Sequence, residues 1–362
     1  MGATVSTANL RSKLWATKLW VEAAQDLFFK RFMGTEEPTE EKVDSEAFNN
    51  IVVLKEELLA EGAVVPKKGV QLTLGLALKL TGAGVTGDST LEGSEEAINT
   101  YDFTVTASQI RNGVVLTGLT DEYKVSYSMR ANAKALLKLW LKERLDYLMM
   151  YALSCDPTNS ATVAYNRHIY AGSATTVAGL NDSTMDTGEL FDTRIISKAK
   201  RIASKAIPKI RPVYVKGKPY YVILASPEQI RSLHECTAWN NAYQNAAELG
   251  MNNPIFTGAD SVYDGVVIHE YPDICTAVSG AELASDATSA DNTAADDVAR
   301  ALFLGAQAGV YALCKRPFWV EKSFDYENQA GFATGLVVAI AKTIFNSRDY
   351  GCIALDTTIE VD

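Results

Sequence analysis

The chain has 362 residues, of which 47% are hydrophobic and 22% charged, enough apolar material for one large globular unit or two medium ones, so disorder over most of its length is excluded. Its 44 acidic residues outnumber its 34 basic ones, and the formal charge of −10 would repel polyanions, which argues against a transcription factor or a nuclease. Five dispersed cysteines, Cys155, Cys236, Cys275, Cys314 and Cys352, make neither a dense disulfide framework nor the paired short spacings of a zinc site, and read as reduced thiols.

Residues 9–32 carry Leu10, Leu14, Val21, Ala24 and Phe28 at helical spacing, with Trp15, Leu19, Trp20 and Leu27 widening the apolar stripe, and Ser6 or Thr7 available as a cap. The N-terminus has no basic stretch followed by an apolar core, so no signal peptide is expected. Residues 1–6 do meet the literal myristoylation pattern, which such a permissive pattern does often by chance. A helix so apolar on a terminal arm must bury against its own core or a neighbouring subunit. Gly34 ends it, and a second short helix is expected over residues 45–60.

The period then changes. Val70, Leu72, Leu74, Leu76, Leu78 and Leu80 alternate with Gln71, Thr73, Gly75, Ala77 and Lys79, which describes a strand with one apolar face. Tyr101, Phe103, Val105 and Ala107 repeat the alternation, and its phase slips near Ser108 and Gln109, where a bulge or bend is expected. Joined by the polar, glycine-rich residues 81–100, the two strands form a long hairpin. A two-stranded ribbon is marginal in water, so its leucine face needs a cover.

A long helix is expected over residues 121–154, with Leu136, Leu137, Trp140, Leu141, Leu145, Leu148 and Met149 inward and Lys134, Lys138, Lys142 and Asp146 along another face, read as a solvated row in preference to a contact row for acidic neighbours. Residues 156–187 read as loop and 189–206 as helix; 220–225 read as a buried strand, followed by a helix opened by Ser226-Pro227. Residues 279–297 read as an exposed loop. Strands follow at about 301–304, 308–324, 332–344 and 352–360. This order points to an α+β arrangement. The longest apolar run, around residues 335–340, is cut by Lys342 and is too short to span a bilayer, so no membrane association is expected.

Little in the sequence argues for catalysis. Gly82-Ala83-Gly84-Val85-Thr86-Gly87 matches G-x-G-x-x-G, but that mechanism needs a helix starting inside the glycines. An acidic, aperiodic stretch follows instead, so the glycines are expected to serve a loop with unusual backbone angles. His168, His234 and His269 have no metal-ligand spacing and read as plain polar residues. No nucleophile elbow or catalytic-thiol motif is present; catalytic, cofactor and metal residues are all expected to be absent.

Several blocks do resemble a known family. Residues 80–88 (Leu80-Thr81-Gly82 through Asp88) and 91–96 (Leu91-Glu92-Gly93-Ser94-Glu95-Glu96) are similar to the loop signature of podovirus-type major capsid proteins. Residues 253–259 (Asn-Pro-Ile-Phe-Thr-Gly-Ala), 300–308 (Arg-Ala-Leu-Phe-Leu-Gly-Ala-Gln-Ala), 325–328, Phe345-Asn346 and Asp349-Tyr350-Gly351 resemble further blocks in the family's order. Ser226-Pro227 stands where the family suggests His-Pro, and Glu327 where a Gly is usual.

The resemblance implies the Hong Kong 97-type capsid fold. It divides the chain into an N-terminal arm (1–62), an extended hairpin or E-loop (63–117), a peripheral domain with a spine helix (118–188), an axial domain (189–299) and the C-terminal strands of the peripheral domain (300–362). It also implies a structural protein that assembles with itself, as pentamers and hexamers, into an icosahedral shell around phage double-stranded DNA held without sequence-specific contacts. Scaffolding, portal or decoration proteins would be separate partners. The virion is the expected location and the host cytoplasm the assembly site. Alternatives are an encapsulin-type compartment and, from the glycines, a nucleotide-binding enzyme. Trp15, Trp20, Leu72, Leu74, Leu76, Gly82, Gly84, Gly87, Asp88 and Glu92 are the expected subunit contacts.

Overall fold

A computed structural model describes residues 27–34, 51–55, 71–77, 84–88, 90, 92, 95–96, 100–118, 124, 128–154, 167–172, 189–206, 209–215, 217–239, 261–272, 274, 276–277, 297–326, 328–345 and 348–359. In chain order its main elements are strands β1 (Val52–Lys55), β2 (Gln71–Ala77), β3 (Thr100–Thr106) and β4 (Ser108–Val115), helix α1 (Met129–Ser154) and strand β5 (His168–Tyr170). Helix α2 (Thr193–Lys205), strand β6 (Lys218–Ala225) and helix α3 (Pro227–Glu235) follow. Strands β7 (Val266–Glu270), β8 (Val298–Leu304), β9 (Gly309–Phe324), β10 (Gln329–Lys342) and β11 (Cys352–Thr358) complete the chain.

A five-stranded sheet runs Met33–Gly34, β1, β9, β10, β4. An eight-stranded sheet follows the path β5, β11, β8, β6, β7, Ser261–Tyr263, with Val213–Val215 pairing β6 and Thr276–Ala277 pairing β8. The positions of β6 and β8 explain why their sequences are almost unbroken runs of apolar residues. Tyr220, Val222, Leu224, Leu302 and Leu304 face one core, which α1 and the five-stranded sheet close. Tyr221, Ile223, Ala225, Ala301 and Phe303 face another, covered by α2 and α3. A strand buried on both faces has no need to alternate.

Helix α2 opens on Asp192, whose carboxylate accepts from the amides of Arg194 and Ile195 at 2.9 and 3.0 Å. Helix α3 opens on a capping box, Ser226 accepting from the Gln229 amide at 3.2 Å while the Gln229 side-chain oxygen accepts from the Ser226 amide at 3.1 Å.

The buried stripe of α1 is Ala133, Leu137, Leu141, Leu145, Met149 and Leu153, one residue in four. At about 100° per residue each step advances the stripe by roughly 40°, so it winds through about 200° along the helix. The later turns of α1 still pack on the five-stranded sheet, Leu148 and Tyr151 beside Val338 and Ile340 and Leu153 against Gly309, and its last residue also reaches the eight-stranded one, where Ser154 meets Arg300. This corrects the inward face read from the sequence: Leu136 is exposed, while Trp140 and Leu148 are half-buried. The expected solvated row is also corrected, because Lys134, Lys138 and Lys142 are half-buried and Asp146 is buried.

Three local expectations fail for identifiable reasons. Ile51-Val52-Val53 is a β-branched run, and residues 52–55 pair in parallel with Gly309–Ala312 as a strand, not a helix. Residues 28–32 form a single 3₁₀ turn after an extended Leu27, so the helix expected over 9–32 does not reach Phe32. Asp146 accepts from the amides of Phe28 and Phe29 at 3.1 and 3.5 Å, and the Phe28 ring centroid sits 4.5 Å from that of Tyr271. Within the expected loop 156–187, residues 168–170 are a buried strand beside Ala354–Asp356. Most of the rest of that loop, residues 279–296 and the Trp15 and Trp20 positions lie outside the described residues.

The chain crosses between sheets at residues 305–308 and 343–351, where the Gly305 amide donates to the Gly351 carbonyl at 2.8 Å. A Cβ on Gly351 would stand 2.7 Å from the Ala308 Cα, so a methyl group does not fit without backbone movement.

The winding stripe predicts unequal costs for two leucines of the same helix. Leu141→Ala should cost about 2–5 kcal/mol and Leu136→Ala less than about 0.5 kcal/mol in denaturant unfolding of the unassembled subunit. Equal losses would place both in the core.

Candidate assembly surfaces

Strands β2 and β3 pair antiparallel from Gln71 opposite Thr106 to Ala77 opposite Thr100. Leu72, Leu74 and Leu76 therefore stand opposite Val105, Phe103 and Tyr101, on one face of the ribbon. On β3 that face is buried at Val105 and half-buried at Phe103 and Tyr101, while Asp102, Thr104 and Thr106 are exposed. Val105 packs against Ala312 of β9 and Ala339 of β10. At Ser108 the chain leaves the hairpin and joins β10 as β4, which accounts for the slipped phase. An open cavity of about 520 Å³ lies at this junction, lined by Phe103, Val105, Leu148, Tyr151, Val338 and Ile340 among others.

At the tip, Gly84 and Gly87 take φ of +66° and +69°, and a Cβ on either would meet nothing within 4 Å. Backbone dihedral, not crowding, is what asks for glycine there. Asp88 and Glu92 are exposed, as are Glu95 and Glu96. Residues 84–88 are coil and turn, so the helix N-terminus on which a dinucleotide site depends is absent from them. Gly82, like Trp15 and Trp20, lies outside the described residues.

Exposed apolar side chains that the sequence pattern does not single out form two further groups: Leu136, Leu139 and Tyr147 on α1, and Val320, Phe324 and Tyr326 at the far end of the β9–β10 hairpin. The Asp325-Tyr326 turn takes positive φ at both residues, and the Tyr326 side chain is fully exposed. Their periodicity resembles that of buried neighbours, so the sequence carries no signal that separates them.

The groups with the largest shifts in acidity are internal struts. Arg300 and Asp356 are fully buried and paired, Nε to Oδ1 at 2.8 Å and Nη2 to Oδ2 at 2.9 Å, and Arg300 Nη1 donates to the Ser154 carbonyl at 2.9 Å. His168 Nε2 also bonds Asp356, and the Tyr170 hydroxyl lies 3.1 Å from His168 Nδ1. His168 is thus a buried partner in a network and not the plain polar residue expected. Burial alone would raise the Asp356 pKa, but Arg300, then His168, outweighs it and holds the carboxyl well below the usual carboxylate range. Burial pushes the Cys352 thiol up to about 12, which keeps it protonated. Burial also brings Arg167 down to about 10, still charged at neutral pH, and its Nε donates to the Asp349 carbonyl at 2.9 Å. Each of these groups is enclosed by the fold. Among the described residues no cluster of His, Cys, Asp and Glu is placed to hold a metal, and no helix is long and apolar enough to cross a membrane.

A family model described as phage capsid protein matches residues 3–361. The chain belongs to the phage capsid protein family. It is 26% identical to the major capsid protein of Pseudomonas phage KPP25, over 95% of this chain and 94% of that protein. Among solved structures it is similar to the capsid of Ralstonia phage GP4, with a TM-score of 0.71, 26% identity and 92% of each chain covered. The capsid asymmetric unit of cyanophage Pam1 gives a TM-score of 0.69 at 22% identity, again over 92% of each chain, which speaks to the fold. The Hong Kong 97-type capsid fold expected from the sequence is therefore present. The protein is a phage major capsid protein, a structural subunit that self-associates into a shell and not an enzyme. The compartment and nucleotide-enzyme alternatives do not hold.

The Arg300–Asp356 pair yields a pH-dependent prediction. Arg300→Met removes the cation and both guanidinium donors from the buried Asp356 carboxylate and one donor from the Ser154 carbonyl, and should cost about 3–5 kcal/mol at pH 7. A carboxyl with a depressed folded-state pKa stabilises above its unfolded pKa and loses that contribution as pH falls toward the folded value. The gap between wild type and variant in urea unfolding should therefore narrow below about pH 4. A gap independent of pH would mean that the pair acts through packing alone.

Proposed function

We propose that copies of this chain, grouped as pentamers and hexamers, close into an icosahedral shell around phage double-stranded DNA. The observation that carries the reading is the β2–β3 ribbon. Its apolar face is covered by its own subunit at Val105 and only partly at Phe103 and Tyr101, while its tip carries exposed Asp88 and Glu92. A neighbouring subunit is the natural cover for what remains, and residues 63–117 act as the extended loop that reaches it. Leu72, Leu74, Leu76, Gly82, Gly84, Gly87, Asp88 and Glu92 are its contact residues, and Trp15 and Trp20 those of the arm over residues 1–62.

In the same reading, α1 is the spine of a peripheral domain built on the five-stranded sheet. The eight-stranded sheet with α2 and α3 forms the axial domain. Since that sheet takes β5 from residues 118–188 and β11 from residues 300–362, and β8 (Val298–Leu304) runs across the boundary at residue 300, the two domains share a continuous core instead of meeting at a linker. Such a subunit tilts as one body, and the loop and arm absorb the differences between shell positions. Contacts at several sites raise the effective concentration at each, so none has to be strong. Such contacts are heterologous and must close. DNA is enclosed without sequence-specific contacts, scaffolding, portal and decoration proteins come as separate chains, and assembly takes place in the host cytoplasm.

Deleting residues 81–96 should leave a folded subunit, by circular dichroism, that forms no closed particles by electron microscopy; normal shells would dismiss the loop reading. Replacing Trp15 and Trp20 by Asp should lower particle yield, and an unchanged yield would count against an inter-subunit arm.

A further inference from the structure

Helix α2 is anomalous in so acidic a chain. Its sequence, TRIISKAKRIASK, holds Arg194, Lys198, Lys200, Arg201 and Lys205 and no acidic residue. Ile195, Ile196, Ala199, Ile202 and Ala203 are buried against the eight-stranded sheet. Arg194, Arg201 and Lys205 are exposed and Lys198 lies among them, and their spacing of four, three and four residues sets the four in one row about 16 Å long. Lys209, exposed just beyond the helix, extends the charge.

Among the described residues, two acidic groups are paired with these cations. Asp192 caps the helix and sits 3.7 Å from Arg194, and Asp264 holds Lys200 at 2.7 Å. Lys198 reaches the Tyr170 carbonyl, at 3.4 Å. The row therefore presents net positive charge to whatever faces it.

The same chain carries a matching feature of opposite sign. Asp88, Glu92, Glu95 and Glu96 are exposed at the tip of the β2–β3 hairpin. The chain self-associates, so every shell brings many copies of each feature together. We propose that the cationic face of α2 receives the acidic hairpin tip of a second copy. The inference rests on the reading of residues 63–117 as an inter-subunit loop and adds which surface receives it. Duplex DNA is the competing occupant. The net charge of −10 and the complementary tip favour the second copy. The contact works as a locator: exposed charge pairs contribute little affinity each, but like charges brought together reject a wrong register.

The experiment uses the full chain in three forms. One carries Lys198→Glu, Arg201→Glu and Lys205→Glu; another carries Asp88→Lys, Glu92→Lys and Glu95→Lys; the third combines them. None of the six side chains lies in the core and Glu keeps helix propensity, so each form should fold, with circular dichroism of the unassembled subunit as the check. A Gln set at the three α2 positions, which removes charge without reversing it, should give an intermediate loss. Particle yield by sedimentation should fall about tenfold with either reversed set and recover in the combination. If the tip set impairs assembly while the α2 set does not, or if the combination stays as poor as its worse parent, the loop reading survives and α2 is not the receptor. If neither set changes the yield, the loop reading falls as well. If the α2 set assembles normally but its subunits retain less duplex DNA on a gel, the face is a polyanion surface and the proposal is overturned.

Discussion

Helix α1 is the part against which the rest of the subunit is built, and the constraint it satisfies is one of twist. One line of its buried residues recurs every fourth position, Ala133 to Leu153, so the apolar line turns around the helix as it advances. The helix packs along the five-stranded sheet while its last turn also supports the eight-stranded sheet. Where the helix ends, Arg300 binds the Ser154 carbonyl and Asp356 together, so the helix terminus, β8 and β11 meet in one buried ion pair. Such a pair is a weak source of net stability but allows few alternative geometries. A shell subunit needs that rigidity, since angular errors in one body accumulate across many copies.

Two extensions leave this body. The β2–β3 ribbon is anchored at Val105 and extends to a tip whose glycines sit at positive φ. Phe28, Phe29 and Phe32 fasten the described end of the N-terminal segment to the core, through Tyr271 and the Asp146 carboxylate. Both extensions thus leave from well-packed points, and forces on them are passed to the subunit as a whole.

Charge is distributed to the same end. The chain is acidic overall, while α2 gathers five cations on an element with no carboxylate of its own. The buried Arg300 and Asp356 are paired inside the fold, whereas Arg194, Arg201 and Lys205 of α2 and Asp88 and Glu92 of the hairpin tip are exposed. The acidity shifts of Asp356 and Cys352 belong to the interior and reflect packing.

The sequence by itself determined the elements whose period is short and whose faces differ. The alternation of Val70 to Leu80 and of Tyr101 to Ala107 defined the ribbon, and Ser226-Pro227 placed the start of α3. The resemblance of residues 80–96 and 300–308 to capsid blocks supplied the fold class and the function. Tertiary structure alone decided the rest, because these choices depend on what lies opposite in space. Residues 52–55 became a strand because β9 offered an edge, and residues 168–170 because β11 did. Leu136 and Leu137 are neighbours of equal hydropathy about 100° apart on the helix, and only the face that α1 turns to the sheets exposes one and buries the other. His168 carries no motif, and its role appears only when Arg300 and Asp356, distant in the chain, are brought beside it. The basic row of α2 was written in the sequence from the start, but only the burial of Ile195, Ala199 and Ile202 against the sheet determines which way it faces.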